Sequence, residues 1–404
     1  MSGESHGRLL AFLAARCRDV AAAEDALAEA FEAALRTWPE TGTPENPEGW
    51  LLTTARRRLI DRMRHQRVEE LAHEELRHAE GQAAPGESSQ LPDERLRLMF
   101  ACAHPAVEQP ARSPLMLQTV LGLDAATIAK AFVVPATTMG QRLSRAKAQI
   151  REKRVLFELP DEVALPARLE AVLDAIYAAY GCGWSEPDGA TATRDIERDL
   201  SEEALELGAL LTRALPTQPE AHGLMSLMLH CQARRAARRD ATGSYVPLAE
   251  QEVSRWDQRL MRLGEQHLRE AATLGCLGRF QLEAAIQSAH AQRALNGRVD
   301  WPAVAALYEG LVRIAPTVGA LVGRAAAVAE AHGTEAAWQL LNDLPQARFS
   351  DYQPYWALRG HLEERRGDRG AARISFTRAA EASSEEAAKK YLLARADSCR
   401  TAPS

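Results

Sequence analysis

Two clusters of basic side chains are the residues whose type and spacing best fit a chemical task. Six arginines lie within residues 52–67, together with a single acidic residue, Asp61. Four arginines and two lysines lie within residues 141–154, where Glu152 is the one acidic residue. Guanidinium and ammonium groups pair with phosphate, so two separate basic segments predict two contacts with a nucleic-acid backbone. An arginine-rich helix end can also be an ordinary solvated face, and both interpretations stay open for the first cluster.

The net charge of −6 conceals these basic segments because it averages over the whole chain. Residues 1–160 carry 21 Lys and Arg against 22 Asp and Glu, whereas residues 161–404 carry 28 against 33. Local basic patches in a neutral region favour specific phosphate contacts over diffuse binding. The length of 404 residues allows about two to four domains, each with its own apolar core.

Membrane and secreted classes are disfavoured by the apolar pattern and by the cysteines. No run of about 18 apolar residues occurs, so we expect no membrane span. The first residues lack a basic stretch followed by an apolar one, which argues against a secretory signal. The six cysteines lie far apart and form no C-x-x-C pair, a pattern typical of reduced thiols in a chain of this length. We therefore expect a cytoplasmic protein.

Candidate enzyme motifs are weak. His73 and His78 resemble a zinc-protease motif, but a separation of five residues turns them about 140° apart on a helix. Cys102 and His104 offer two metal ligands where a structural zinc site needs four. No phosphate-binding glycine loop or nucleophile elbow occurs. We predict that the protein is not an enzyme and has no catalytic residue, metal site or cofactor, while a cysteine redox sensor remains conceivable.

Composition breaks divide a sequence that is helical in character almost throughout. Alanine, leucine, glutamate and arginine dominate, and alternating β-branched runs are absent. Residues 81–92 are rich in Gly, Pro and Ser, as in a flexible linker. Further breaks fall at residues 158–161 and 181–189. The sequence predicts an all-α fold with two small helical modules, joined by a linker and followed by a larger helical domain.

The first module pairs an acidic helix with a basic one. In the helix predicted over residues 22–38, the residues expected to face a core are Ala23, Leu27, Phe31, Leu35 and Trp38. The other face carries Asp25, Glu29 and Glu32 with Glu24 beside it, and alone it could be a solvated acidic surface. After a Pro- and Gly-rich loop over 39–49, a second helix over 50–64 carries the first basic cluster outward. Its apolar stripe is Leu51, Ala55, Leu59 and Met63.

The second module has the pattern of a helix-turn-helix. Asp124 is a candidate N-cap for a short helix over 125–132, and Pro135 ends the turn that follows it. A second helix begins at Ala136, with an apolar side formed by Met139, Leu143, Ala146 and Ile150. The opposite side carries threonine, glutamine and arginine, whose hydrogen-bonding groups match base edges in the major groove. An ordinary helical hairpin is the alternative.

Taken in order, three segments resemble the extracytoplasmic-function (ECF) sigma factors of bacterial RNA polymerase. These segments are residues 23–31 (AEDALAEAF), 49–56 (GWLLTTAR) and 124–147. The resemblance covers about residues 8–157 and implies region 2, a linker and region 4. Residues 93–105 resemble the lead-in to region 4 in a subgroup with a long helical C-terminal extension.

The resemblance implies core RNA polymerase and promoter DNA as partners and assigns residues to each. The residues implied to bind core polymerase are Glu24, Asp25, Glu29, Phe31 and Glu32. Those implied to open the −10 element are Trp50, Thr53, Thr54, Arg56, Arg57, Arg58 and Arg62. Those implied to read the −35 element are Thr137, Thr138, Gln141, Arg142, Ser144 and Arg145. The sequence departs from the family pattern at Arg57, Val133 and Gly140, so the promoter preference does not transfer directly.

The C-terminal half shows one good match to a tetratricopeptide (TPR) repeat. In a frame that begins at Gln353, the matching residues are Trp356, Gly360, Gly367, Ala372, Phe376 and Ala379. The frame departs from the pattern at Arg359 and Ser384, and weaker matches occur at Tyr308 with Pro316 and over residues 205–237. We predict a TPR-like helical array, which offers a groove for a peptide or protein.

The predicted domains are region 2 (1–68), a flexible linker (69–93), region 4 with its helix-turn-helix (94–158) and a TPR-like domain (159–404). The predicted function is that of a sigma factor whose activity is modulated by the C-terminal domain, with a regulatory protein or peptide as a further partner. Two alternatives remain open. One is a helix-turn-helix regulator that acts without polymerase, and the other is a TPR scaffold whose N-terminal half has lost DNA function.

Overall fold

The computed structural model describes residues 3–71, 93–132, 134–182 and 191–400. Within these ranges the chain is helical and forms no β-strand, which confirms the predicted all-α fold. Most of the predicted linker, the His73–His78 motif, Val133 and most of the break at 181–189 lie outside the described residues. No helix in the described ranges combines the length and the apolar character that crossing a bilayer requires.

The chain divides into two compact units. The first unit comprises Met1–Cys182 with Asp199–Leu207, and the second comprises Gly183–Arg198 with Gly208–Ser404. The helices of the first unit are α1 (Gly3–Cys17), α2 (Val20–Thr41), α3 (Pro47–Leu71), α4 (Arg95–Cys102), α5 (Gln109–Thr119), α6 (Ala125–Ala131), α7 (Ala136–Glu152) and α8 (Leu165–Cys182). Helix α9 (Thr191–Ala214) contributes Asp199–Leu207 to this unit and its remaining residues to the second.

The second unit continues as a succession of helices. They are α10 (Pro219–Ala233), α11 (Gln258–Thr273), α12 (Arg279–Ala291), α13 (Arg293–Asn296), α14 (Trp301–Ile314), α15 (Val318–His332), α16 (Thr334–Asn342), α17 (Gln353–Arg365), α18 (Arg369–Glu381) and α19 (Glu386–Ser398). Short 3-10 turns lie at Arg235–Arg238, Leu248–Glu250, Val253–Arg255 and Gln346–Phe349.

Helix α1 forms the centre of the first unit. Six consecutive residues, 9–14, are apolar and buried, as expected for a helix enclosed by neighbours on every side. It packs against α2 and α3 of the first predicted module and against α4 and α5 of the second. At Gly7, α1 lies so close to the backbone at the end of α5 that a Cβ on Gly7 would be 2.0 Å from the carbonyl oxygen of Val120. The two predicted modules therefore share one core.

Helix α2 is capped and packed as the sequence pattern indicates, except near its C-terminal end. Asp19 caps it by accepting a hydrogen bond from the backbone of Ala22 at 3.1 Å. Leu27 is fully buried, but Leu35 is 78% exposed, so the prediction that Leu35 faces a core is wrong. The cause is the short partner helix: His6, in the first turns of α1, stacks on Phe31, and the later turns of α2 extend past it.

A buried ionic cluster joins α4 to the part of α9 that belongs to the first unit. The side chain of Arg95 is 3% exposed and pairs with Asp93 at 2.8 Å. Glu203 and Glu206 of α9 lie 3.7 and 3.6 Å from its guanidinium. Because loss of these carboxylates would leave the buried charge of Arg95 uncompensated, the cluster links the α9 segment to α4.

Helices α17 and α18 form a tightly packed hairpin in the second unit. At Gly360 of α17, a Cβ would lie 3.0 Å from the ring of Phe376 on α18. Gly367 ends the connection with φ of +86°, a conformation that glycine adopts without strain. The residues expected inside the hairpin are buried, namely Trp356, Ala372, Phe376 and Ala379.

Candidate nucleic-acid interface

Helices α6 and α7 lie where the sequence predicts the two helices of a helix-turn-helix. Asp124 accepts hydrogen bonds from the backbone of Ala126 and Thr127 at 2.8 and 3.0 Å, so its predicted capping role is confirmed. Extended backbone at Pro135 ends the turn, and α7 begins at Ala136 as predicted. The predicted apolar face of α7 is also confirmed, since Met139, Leu143, Ala146 and Ile150 are all buried.

The opposite face of α7 presents a row of hydrogen-bonding side chains to solvent. Five of the six residues predicted to read DNA are exposed: Thr137, Thr138, Gln141, Ser144 and Arg145. The sixth, Arg142, is partly covered, and its guanidinium lies 3.5 Å from the carbonyl oxygen of Pro110. At Gly140 a Cβ would meet no atom within 4 Å, so packing does not require glycine there. This face therefore has the exposure and donor groups that base reading needs.

Helix α3 carries its arginines on the side away from the core. Leu51, Ala55 and Leu59 are buried, as predicted, while the side chain of Met63 lies outside the described residues. Arg56, Arg57 and Arg58 are exposed in one consecutive run.

The remaining residues predicted for −10 contact make local interactions on α3. The hydroxyls of Thr53 and Thr54 donate to the carbonyl oxygens of Gly49 and Trp50, at 2.8 and 2.9 Å. Trp50 is half-buried and meets Trp38 edge to face, with ring centroids 5.5 Å apart. The indole of Trp50 is thus held in the first turn of α3, against Trp38 near the C-terminal end of α2.

Two of the α3 arginines pair with the acidic face of α2. Arg62 donates to Asp25 at 2.9 Å and to Glu29 at 2.5 Å. Arg58 lies 3.6 Å from Glu29. Residues predicted to bind DNA and residues predicted to bind polymerase therefore neutralise one another within the first unit.

The other acidic residues of α2 differ in their surroundings. Glu32 is exposed and pairs with Arg36 at 3.8 Å, whereas Glu24 is half-buried. Burial raises the pKa of Glu24, and the ammonium group of Lys147 offsets part of that effect.

Sequence reasoning missed Leu35 as a surface residue, because helical spacing alone placed it with the core. It lies on α2 near Glu32 and enlarges that exposed face with an apolar group.

Helix α7 also packs against α2. Lys147 pairs with Glu24 at 2.5 Å, and Arg151 lies 3.8 Å from Asp19. A cavity of about 310 Å³ lies beside these pairs and is lined by both helices, including Gly140 and Ser144. The predicted recognition helix is therefore held against the helix predicted to bind polymerase.

Cys102 and His104 are engaged with neighbouring protein atoms. Burial raises the pKa of the Cys102 thiol to about 12, and its Sγ lies 3.7 Å from Thr119 Oγ1. His104 Nδ1 accepts a hydrogen bond from the backbone of Ala106 at 3.0 Å. A group that sequence reasoning missed lies elsewhere: His222, His267 and Glu270 converge in the second unit. The i,i+3 spacing of His267 and Glu270 was readable, but His222 lies 45 residues before His267.

Comparison with known proteins identifies the class of the N-terminal segment. Residues 3–69, which hold α1 to α3, match Sigma-70 region 2. Residues 168–272 match a family of unknown function (DUF6596). The first match supports a sigma-70 family factor, and region 2 of that family suggests binding to RNA polymerase and recognition of promoters. The α6–α7 segment, predicted to be a helix-turn-helix, lies between the two matched ranges.

A full-length relative shows the family. The chain is 34% identical over 392 residues to Uncharacterized protein R00370 of Rhizobium meliloti (strain 1021), an alignment that covers 96% of this chain and 92% of the relative. The chain belongs to the same family as that protein. No solved structure matches the chain.

Proposed function

We propose that this protein is an ECF-type sigma factor that acts in the cytoplasm, binds core RNA polymerase and directs transcription initiation. The observation that carries the proposal is the solvent-facing row on α7, in the same compact unit as a Sigma-70 region 2. Sigma-70 region 2 by itself supports polymerase binding. A second DNA-reading helix beside it gives the chain two separate contacts with one promoter.

In this proposal α7 reads the −35 duplex. Its apolar face is buried, so the exposed face is free to enter the major groove. Gln141 and Arg145 are separated by one helical turn, and Thr138 precedes Gln141 on the same side. Arginine fits the acceptor pair of guanine and glutamine fits the donor and acceptor of adenine. This combination supports sequence-specific reading by the N-terminal half of α7.

Helix α3 and its preceding loop contact the opened −10 element. Arg56 and Arg57 are exposed and can approach single-stranded phosphate. Trp50 and Trp38 provide an aromatic surface at the start of the helix, on which an unpaired base can stack. Because Arg62 is engaged with Asp25 and Glu29, we assign it to holding α3 against α2 while Arg56 and Arg57 contact DNA.

The exposed part of α2 binds polymerase. Glu32 supplies charge, and Leu35, which is 78% exposed, supplies apolar surface. Glu24 joins this surface when its pair with Lys147 opens.

The second unit modulates this activity as a TPR-like array. A cleft of about 510 Å³ lies among residues of α17, α18, α19 and the segment after α10. Its lining includes Tyr245, Gln353, His361, Tyr391 and Arg395, which combine aromatic surface with hydrogen-bonding groups. A cleft of this size and chemistry suits a short segment of a regulatory protein or a peptide.

Run-off transcription with purified core RNA polymerase tests the proposal. Templates are taken from promoters that respond when the protein is overexpressed. We expect a specific transcript that needs both polymerase and this chain, and co-purification of the two. Specific DNA binding without polymerase and without a transcript would instead support a helix-turn-helix regulator. The absence of both binding activities would support a scaffold.

A further inference from the structure

Three side chains converge on one point between α10 and α11 in the second unit. His222 of α10 places its Nδ1 3.0 Å from Nδ1 of His267 on α11. The Oε2 atom of Glu270, one turn further along α11, lies 3.1 Å from His222 Nδ1 and 3.6 Å from His267 Nδ1. Two imidazoles and a carboxylate, each offering one ligand atom, therefore form a compact triangle.

The size of this triangle fits a metal coordination face. In a tetrahedral site with bonds of about 2.0–2.1 Å, as zinc forms with histidine, two ligand atoms are about 3.3 Å apart. The three measured separations, 3.0, 3.1 and 3.6 Å, lie on both sides of that value. A metal ion could thus bind the three atoms after small side-chain adjustments.

In His222 and Glu270, the second polar atom of the side chain has a partner that orients the ligand. Nε2 of His222 lies 3.1 Å from the carbonyl oxygen of Pro216. A carbonyl can only accept, so Nε2 carries the proton and Nδ1 directs its lone pair at the triangle. Oε1 of Glu270 accepts a hydrogen bond from Gln266 at 3.0 Å, so Oε2 is the oxygen that faces the two imidazoles. Outer hydrogen bonds of this kind hold metal-binding side chains in place.

Burial and access suit a bound ion. The side chains of His222 and His267 are 8% and 16% exposed, while that of Glu270 is 42% exposed. Burial, and then the neighbouring His222, lower the pKa of His267, while Glu270 raises it. The exposed carboxylate gives the ion a route from solvent. Two buried imidazoles favour zinc or a similar transition metal over magnesium or calcium.

We propose that His222, His267 and Glu270 bind a divalent transition metal ion, with zinc as the best match, and that the ion joins α10 to α11. Solvent or a further ligand completes the coordination. The helices are already close here, since a Cβ at Gly264 of α11 would lie 3.0 Å from the ring of His230 on α10. Without an ion, Nδ1 of His267 donates to Nδ1 of His222 at 3.0 Å, and binding of the ion through both Nδ1 atoms would move that proton to Nε2 of His267. The proposal is independent of the transcriptional role.

The test is metal binding to the full chain after removal of metal with a chelator and under reducing conditions. Zinc is titrated calorimetrically, and cobalt is titrated by visible absorption, which reports nitrogen and oxygen ligands directly. We expect one equivalent to bind and to raise the melting temperature. Loss of one ligand should weaken binding about 10- to 100-fold or more. The variants are His267→Gln and Glu270→Gln, and the second keeps the fold because Glu270 is partly exposed.

Two control variants exclude other ligands. His332→Gln removes an exposed histidine on α15, and Cys276→Ser removes an exposed thiol just after α11. Both should bind metal as the unmodified chain does. The proposal is overturned if the unmodified chain binds no stoichiometric metal, if Glu270→Gln and His267→Gln bind metal as tightly as the unmodified chain, or if Cys276→Ser abolishes binding. In those cases the three side chains form a hydrogen-bonded network.

Discussion

Lys147 Nζ lies 2.5 Å from Glu24 Oε2, so an ion pair joins the helix predicted to read DNA to the helix predicted to bind polymerase. The two residues are 123 positions apart in the chain. Both side chains are largely covered, at 14% and 25% exposed. The carboxylate of Glu24 cannot pair with Lys147 and with a group on the polymerase surface at the same time. We therefore expect the pair to open when polymerase binds.

Replacement of Lys147 tests this expectation. Lys147→Ala removes the pair and leaves Glu24 in place, so polymerase should bind more tightly, by about fivefold for an interaction of about 1 kcal/mol. Polymerase affinity is measured by fluorescence anisotropy in the absence of DNA. Lys153→Ala removes an exposed lysine at the end of the same helix and should leave affinity unchanged. Unchanged or weaker binding by Lys147→Ala alone would contradict the expectation.

Loss of the arginines on α7 should impair promoter reading and spare polymerase binding. Arg142→Ala with Arg145→Ala removes two groups that can contact bases, each worth about 1–3 kcal/mol. Run-off transcription from cognate promoters should fall at least about tenfold, because even the low estimate for two contacts exceeds 1.4 kcal/mol. Arg313→Ala, which removes an exposed arginine of α14, is the matched control. A loss of polymerase affinity in the double variant would refute this division of roles.

The arginines of α3 should have two different roles, one in stability and one in DNA contact. Arg62→Ala breaks the pairs with Asp25 and Glu29 and should lower the free energy of unfolding by about 0.5–1 kcal/mol, since these side chains are partly exposed. Arg56→Ala with Arg57→Ala should leave stability within about 0.5 kcal/mol and reduce strand opening. Thermal unfolding measures the first effect, and permanganate reactivity of promoter thymines measures the second. Equal effects of both variants on stability would contradict the assignment.

Gly360 should be required by the α17–α18 hairpin. Gly360→Ala places a methyl group 3.0 Å from the Phe376 ring and should destabilise the second unit by about 1 kcal/mol or more. Gly370→Ala is the control on α18, where the nearest contact is an ordinary 3.7 Å to Asp368. There alanine should be neutral or stabilising by up to about 1 kcal/mol, because it disfavours unfolded conformations. Urea unfolding of the two variants distinguishes these outcomes, and equal stability would show that the hairpin tolerates a Cβ.

The amino-acid sequence by itself determined the helical elements and the buried side of α7. Met139, Leu143, Ala146 and Ile150 recur at helical spacing, and the structure buries all four. The residue type of Asp124 located the cap of α6, and Pro135 located the start of α7. These features depend on residues within a few turns of one another, so local pattern is enough to predict them.

The packing of the helices against one another sets which of their surfaces are exposed and which charged residues on different helices form ion pairs. Leu35 continues the apolar spacing of α2, yet it is exposed because the first turns of α1 lie beside Phe31 and α2 extends past them. The Glu24–Lys147 pair and the His222–His267 contact join distant parts of the chain. A contact between distant residues leaves no periodic pattern in the sequence, because it is the packing of whole helices that brings the two side chains together.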